Sequence, residues 1–296
     1  MIVYRRNLCS SVSCGYRWVS TIEHIPVSHN AILQAGRLSA MDTVIGFFAI
    51  IGNFASFGVR ALASAFVPPF EWQYFLVQVE ATGWQSLPLI GSAGLALGVV
   101  MTLHTRSLLV TLGAEAWAPT LQSASFFNEL GPLVTGLLVA GRVGAGIGAE
   151  LANMRVTEQI DAIEVFSIDS FKFLVVTRIL ACILVLPLLT VFMDTTGLLG
   201  GFFSEYFIAH MSFQQYVTSA FSSVGWANFI PPTLKTCVFG FIIGTVSCYY
   251  GYTMNEGSDG VRRAATNSVV LSSLLIILAD VILVKGIFFL FPGDAL

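Results

Sequence analysis

Charge is what this 296-residue chain has least of: Asp, Glu, Lys and Arg together make up 10% of it, against about 25% in soluble domains. So few charges cannot build a water-facing surface, which excludes an ordinary soluble enzyme or binding module. Lysine is scarcer still, with only Lys172, Lys235 and Lys285. None of them follows the Gly-rich run of a P-loop, so the chain has no Walker-type nucleotide site. The histidines, His24, His29, His104 and His210, are scattered, and none has a partner at metal spacing. Cys9, Cys14, Cys182, Cys237 and Cys248 show no metal spacing either. The three inside apolar segments read as small hydrophobes. A net charge of −3 without clustered Lys and Arg excludes a nucleic-acid footprint. No tandem repeat, low-complexity tract or catalytic constellation appears. The expectation is a chain that is not an enzyme and holds no cofactor or metal of its own.

What is present is apolar length. The chain is 55% hydrophobic with a mean hydropathy of +0.80, which predicts an all-α integral membrane protein. Five segments are long enough to cross a bilayer: 87–103, 130–149, 179–203, 238–252 (extending back to Leu234) and 268–291. An earlier uncharged stretch, 43–59, is interrupted by Gly46, Gly52 and Asn53; it either spans or, in the favoured reading, forms an interfacial or partly inserted amphipathic helix. One membrane domain over 41–296 comes after a tail of residues 1–40.

Basic residues set the orientation. With the N-terminus inside, the inner segments hold Arg5, Arg6, Arg17, Arg37, Arg60, Arg155, Lys172, Arg178, Arg262 and Arg263. The outer loops hold Arg106 and then no basic residue between Arg178 and Lys235. The first 22 residues contain three arginines, four serines and no acid. They fit either a plain basic tail or an organelle transit peptide.

Three features stand out against the apolar background. Gly136, Ala140, Gly144 and Gly148 recur every four residues in the second span, which suits close helix packing or a homodimer interface. Glu129 and Lys235 are ionisable groups at membrane depth, where such groups face a cavity or a partner or snorkel to the interface. Arg142, Asp194, Asp280 and Lys285 raise the same question. Between the second and third spans lies a charged segment with Glu150, Arg155, Glu158, Asp161, Glu164 and Asp169. Val156, Ile160 and Ile163 form one apolar stripe there, and Thr157, Asp161 and Glu164 lie on another face, as in an amphipathic helix. It is too polar to span and too acidic to favour anionic lipid, so it serves as a solvated loop helix or as a docking point for a soluble partner.

The run "NELGPLVTGLLVAGRVGAGIGAELANMRVTEQIDAIEVFSID" resembles the MlaE permease family, the membrane subunits of phospholipid-moving ABC transporters, chloroplast lipid-import relatives included. The Glu-Leu-Gly-Pro, Ala-Gly-Arg-x-Gly and Met-x-x-Thr-Glu-Gln elements stand in the family's order. The resemblance runs from about Gly52 to Gly293. It implies a homodimer of permeases over a separate ABC ATPase that binds the ATP and Mg, with an Mce-domain lipid-binding protein on the outer face. It also implies a phospholipid cavity touched by Glu129, Lys235 and Arg106, and a coupling helix whose ATPase contacts include Met154, Thr157, Glu158, Asp161 and Glu164. The chain departs from some relatives at Asn128, where they carry a basic residue, and at Thr105–Arg106, where they carry Gly-Tyr. The membrane implied is a bacterial inner membrane or, alternatively, the inner membrane of a plastid or mitochondrion. The rival reading is a stand-alone secondary transporter or channel using Asp194, Asp280 and Lys285. It calls for inverted repeats, and the sequence has no such symmetry.

Overall fold

The computed structural model describes residues 52, 54, 56–65, 71–167, 169–222, 225–254 and 257–290. Those residues contain no strand. The first helix, α1, covers 56–65. Helix α2 (Trp72–Gly83) runs through a 3-10 turn (Trp84–Ser86) into α3 (Leu87–Thr111). Helices α4 (Ala118–Ser125), α5 (Gly131–Val139) and α6 (Ala145–Val156) form one line, joined by π-helical segments at Phe126–Leu130 and Ala140–Gly144. A short α7 (Gln159–Val165) leads to a third π segment (Phe171–Val176) and α8 (Thr177–Ala209). Then come α9 (Phe213–Phe221), α10 (Trp226–Tyr252) and α11 (Ser258–Leu290).

Five stretches are long and apolar enough to cross a membrane: Trp72–Thr111, Glu115–Val156, Phe171–Ala209, Phe229–Tyr252 and Ser258–Ile287. They correspond one to one with the segments expected from hydropathy, but each is longer. The extra turns carry polar residues whose partners lie on other helices. Pro231 and Pro232 lie inside α10. Their missing N–H groups fall close to the helix start, where proline is tolerated better than mid-helix.

Helix α8 is the spine and packs against α2, α3, α5 and α10. Its approach to its neighbours is backbone-close. A Cβ added to Gly240 of α10 would lie 2.5 Å from the Cys182 carbonyl oxygen, and one on Gly94 of α3 would lie 2.9 Å from that of Met193. Where lipid offers as much apolar contact as protein does, such close fit is what holds helices together. The core that results includes Leu151, Leu174, Ile179, Leu186, Met193, Phe239, Ile243 and Ile276, all buried.

The stretch 43–59 was expected at the interface. Of its residues only 52, 54 and 56–59 are among those described, and the remainder lies outside them, as does the tail. Phe54 is buried against Tyr249 (ring centroids 4.4 Å apart), Phe57 meets Phe171 edge-on at 5.2 Å, and the Arg60 guanidinium sits 4.6 Å over the Phe171 ring. The described part therefore lies across the inner ends of the third and fourth spans.

Candidate functional site: buried charges in an apolar bundle

Each of the first two π segments carries a charged side chain. A π turn inserts one residue and re-aims the side chains beyond it, which is why such turns gather at functional positions. Glu129 stands in the first, just ahead of Gly131–Pro132, and Arg142 in the second.

Glu129 meets Lys235 of α10. The Lys235 ammonium, almost fully buried, lies 3.1 Å from Glu129 Oε2 and 2.9 Å from Asp280 Oδ1 of α11. It also donates to the Asn128 carbonyl at 3.0 Å. Three spans thus converge on one cation. Asp280 is buried, whereas the Glu129 side chain remains 43% exposed, so the triad is open on one side. Leu234 and Ile230 are exposed beside it on α10. The triad's formal charge is −1, inside walls that are otherwise apolar.

Arg106 does not join this group. Its guanidinium pairs with Glu205 at 2.6 Å and with Glu115 at 2.9 Å, linking the outer ends of the first three spans. Among the described residues nothing bonds Arg106 to Glu129 or Lys235. Next to it lies a second buried network. Thr102 donates to Gln122 Oε1 at 2.7 Å, and the Tyr216 hydroxyl of α9 lies 3.3 Å from the same oxygen. Burial, and secondarily the Glu205 carboxylate, push the Tyr216 phenol pKa up, so it serves as a neutral donor. Ser123 and Thr120 of α4 donate to the Ala220 and Ser219 carbonyls (2.5 and 2.8 Å) and tie α9 down as an outer cap.

The small-residue stripe faces inward. A Cβ on Gly136 would meet Phe239 at 3.2 Å, one on Gly144 Ser247 at 3.1 Å, and one on Gly148 Ser268 at 2.5 Å; Ala140 is fully buried. The stripe seats α10 and α11 of the same chain.

The charged segment differs from the single amphipathic helix expected there. Helix α6 ends at Val156, Thr157 and Glu158 form a turn, and α7 restarts at Gln159. Glu158 has φ 59°, a left-handed conformation without a glycine to mark it in the sequence. Val156 therefore belongs to a different helix from Ile160 and Ile163. Ile160 is buried, and Met154 and Ile163 pack on the core. Asp161 pairs with Arg155 at 2.7 Å, and Glu164 accepts from Ser170 at 2.6 Å. Thr157 and Glu158 are exposed. So are Val165 and Phe166, at 82% and 78%, two apolar side chains that the charge pattern gave no reason to single out.

The remaining intramembrane charges are not brought together. Asp194 is buried beside Gly131, with neither carboxyl oxygen hydrogen-bonded among the described residues. Asp280 is taken by Lys235, and Lys285 is exposed. Arg178, fully buried, pairs with Glu150 at 2.9 Å and lies within 3.4 Å of the Tyr74 hydroxyl, joining the inner ends of the first three spans.

Comparison with known proteins bears on this arrangement. A probable ABC transporter permease protein of Rickettsia prowazekii is 37% identical over 87% of this chain and 99% of its own length. One from Rickettsia bellii is 37% identical over 80% and 92%. The Arabidopsis thaliana protein TRIGALACTOSYLDIACYLGLYCEROL 1, chloroplastic, is 32% identical over 76% of this chain and 64% of its own. The sequence model described as Permease MlaE matches residues 75–285, from the start of the first span to the end of the fifth, with the buried triad inside. A five-span helical bundle, matched along nearly its whole membrane domain, thus belongs to the MlaE family of ABC transporter permeases.

Proposed function

We infer that this permease moves phospholipid as a homodimer driven by a separate ABC ATPase. The observation that carries the reading is the Glu129–Lys235–Asp280 triad, charged, shared by three spans and open on one side of an apolar bundle. A buried ion pair is weak evidence for stability, and one left half-open suits a different task, holding a polar headgroup while apolar walls accept acyl chains. Arg106 lies farther out, and its pairs with Glu115 and Glu205 fit a rim of the same path rather than its wall. The second copy covers the open side of the triad. The Gly136–Gly148 stripe is already occupied by α10 and α11, so the dimer uses other surfaces.

The chain has no nucleotide motif, so ATP and Mg belong to the ATPase subunit. That subunit docks on the inner segment from Met154 to Phe166. Thr157, Glu158 and Asp161 offer polar contacts, Glu164 braces the segment through Ser170, and the exposed Val165 and Phe166 supply an apolar tip. An Mce-domain lipid-binding protein takes the outer face, and the membrane is a bacterial inner membrane or its organellar counterpart. The ion-gradient alternative has no comparable support, because Asp194, Asp280 and Lys285 do not form one path.

The test is purification of the tagged chain in mild detergent, with identification of what accompanies it. A P-loop ATPase, an Mce-domain protein and phospholipid are the expected companions. Glu158→Ala with Asp161→Ala should release the ATPase and leave the membrane bundle intact. A chain that emerges alone and lipid-poor overturns the reading.

A further inference from the structure

Toward the first span, the inner half of the second span leaves a cleft. Gln78, Ala81, Thr82 and Gln85 share one face of the first span, at i, i+3, i+4 and i+7, and look across a cleft of about 370 Å³ at Arg142, Gly146 and Glu150. Ligand pockets begin at about 300 Å³, so the cleft is large enough for a small ligand. Gly146 faces open space, since a Cβ there would meet nothing within 4 Å. Helix α2 rests on α8 instead of closing the gap.

The cleft has a cation with no anion. Arg142 donates to Ser86 Oγ at 2.7 Å and to Gln85 Oε1 at 3.1 Å, both neutral. Two of its five N–H donors are thereby used. No carboxylate lies within ion-pair reach of it among the described residues. Glu150, on the same cleft, is held by Arg178 at 2.9 Å. Arg106, Arg155 and Arg178 each have a carboxylate partner, so Arg142 stands apart from them. An unpaired guanidinium partly withdrawn from water calls for an anion.

The depth of the cleft suggests which anion. Gly144 sits against Ser247 and Gly251 against Leu151 and Gly148, so residues 144–151 are level with the inner end of α10 and Arg142 lies just deeper. That end carries Tyr249, Tyr250 and Tyr252, and Trp84, exposed beside Gln85, lies on the first span. Tyr and Trp at span ends mark the headgroup level. Arg142, a turn deeper than these tyrosines and bonded to Gln85 beside Trp84, reaches the inner-leaflet phosphates with its long side chain, and a guanidinium fork matches phosphate oxygens. The apolar Val143 and Ile147 line the same cleft and give an attached acyl chain a surface to follow.

We propose that the cleft between the first span and the Arg142 face of the second is a phosphate site, distinct from the Glu129–Lys235–Asp280 triad, whose ligand is the phosphodiester of an inner-leaflet phospholipid. The lipid source rests on the transport reading above; the phosphate chemistry does not. The amides of Gln78 and Gln85 complete the donor set around Arg142.

Native mass spectrometry of the full chain, released from mild detergent and titrated with short-chain phosphatidylglycerol, tests this. Arg142→Gln should weaken one binding event about tenfold or more, the usual worth of a hydrogen-bonded charge contact. Gly146→Leu should do the same by filling the cleft without touching an Arg142 bond, and it stays informative if Arg142→Gln fails to fold. Lys235→Gln should leave that event in place and alter a different one, which keeps failure here separate from failure of the triad reading. Short-chain diacylglycerol should not bind at the cleft. If inorganic phosphate occupies the wild type at millimolar concentration but not Arg142→Gln, the phosphate site stands and its source is soluble rather than lipid. Unchanged binding in both Arg142→Gln and Gly146→Leu overturns the proposal.

Discussion

The two sides of the second span are made of the same residue types and do opposite things. On one side Gly144 and Gly148 meet α10 and α11 so closely that a Cβ would press on Ser247 and Ser268. On the other, Gly141 and Gly146 face open space. The charges divide in the same way. Toward α10 and α11 the nearest cation, Lys235, has two carboxylates and a carbonyl around it. Toward the first span, Arg142 has a hydroxyl and an amide. On one side the helices fit tightly and the cation has its carboxylates, though Glu129 stays partly open; the other side is loose and has donors to spare. Small residues in a membrane helix thus mean two things, close approach or a kept vacancy, and only their neighbours tell which.

Charge removal should give the largest contrast. Lys235→Met strands Asp280 in a buried site and Glu129 beside it, and breaking such a set by removing one partner costs about 3–5 kcal/mol. Arg142→Met strands no charge and loses two hydrogen bonds from a half-exposed guanidinium to neutral acceptors, together about 2 kcal/mol. Reversible unfolding of the two variants in mixed micelles measures both. Equal losses would mean that the two sides are not different in kind.

The glycines give the next contrast. Gly148→Leu drives a side chain into Ser268 and the Ala264 carbonyl, and overpacking of this sort costs about 1–3 kcal/mol. At Gly146 an added Cβ meets nothing within 4 Å, so Gly146→Leu extends into the cleft without pressing on packed groups and should stay within about 0.5 kcal/mol of the wild type. The same unfolding assay applies, with monodispersity in detergent as a second reading. A Gly146→Leu variant as damaged as Gly148→Leu would show that the vacancy is filled in the assembled protein.

How much of this was legible beforehand depends on what each signal draws upon. The existence of five spans is a matter of local hydropathy, and all five were readable. Their ends were not, because Glu115, Glu150 and Arg178 look like loop residues until their tertiary partners are known. Each is neutralised by a residue from another span, and no local pattern reports that. Glu129 and Lys235 could be singled out as charges at membrane depth. That Asp280 completes the group, and that Arg106 belongs to Glu115 and Glu205 instead, is decided by helix packing between spans, which no local pattern reports. The break at Thr157–Glu158 was hidden for a simpler reason. Left-handed turns usually announce themselves with glycine, and here a glutamate takes the conformation. The cleft at Arg142 was hidden because an arginine flanked by glycines reads the same whether the glycines pack or stand clear.

The smallest stability effect is expected where charges meet in water. Arg155 and Asp161 pair at 2.7 Å, the arginine partly and the aspartate mostly exposed, and surface pairs contribute about 0–1 kcal/mol. Asp161→Ala should therefore leave unfolding within that range of the wild type, unlike Lys235→Met. Val165→Ser with Phe166→Ser should do likewise, since neither side chain packs on the bundle. This near-zero effect is what makes the inner segment informative. A variant there that keeps its unfolding free energy but no longer co-purifies with the ATPase has lost a contact, not a fold. If Val165→Ser with Phe166→Ser retains the ATPase as the wild type does, the exposed apolar tip is not the seat, and the polar residues at Thr157 and Glu158 carry the docking alone.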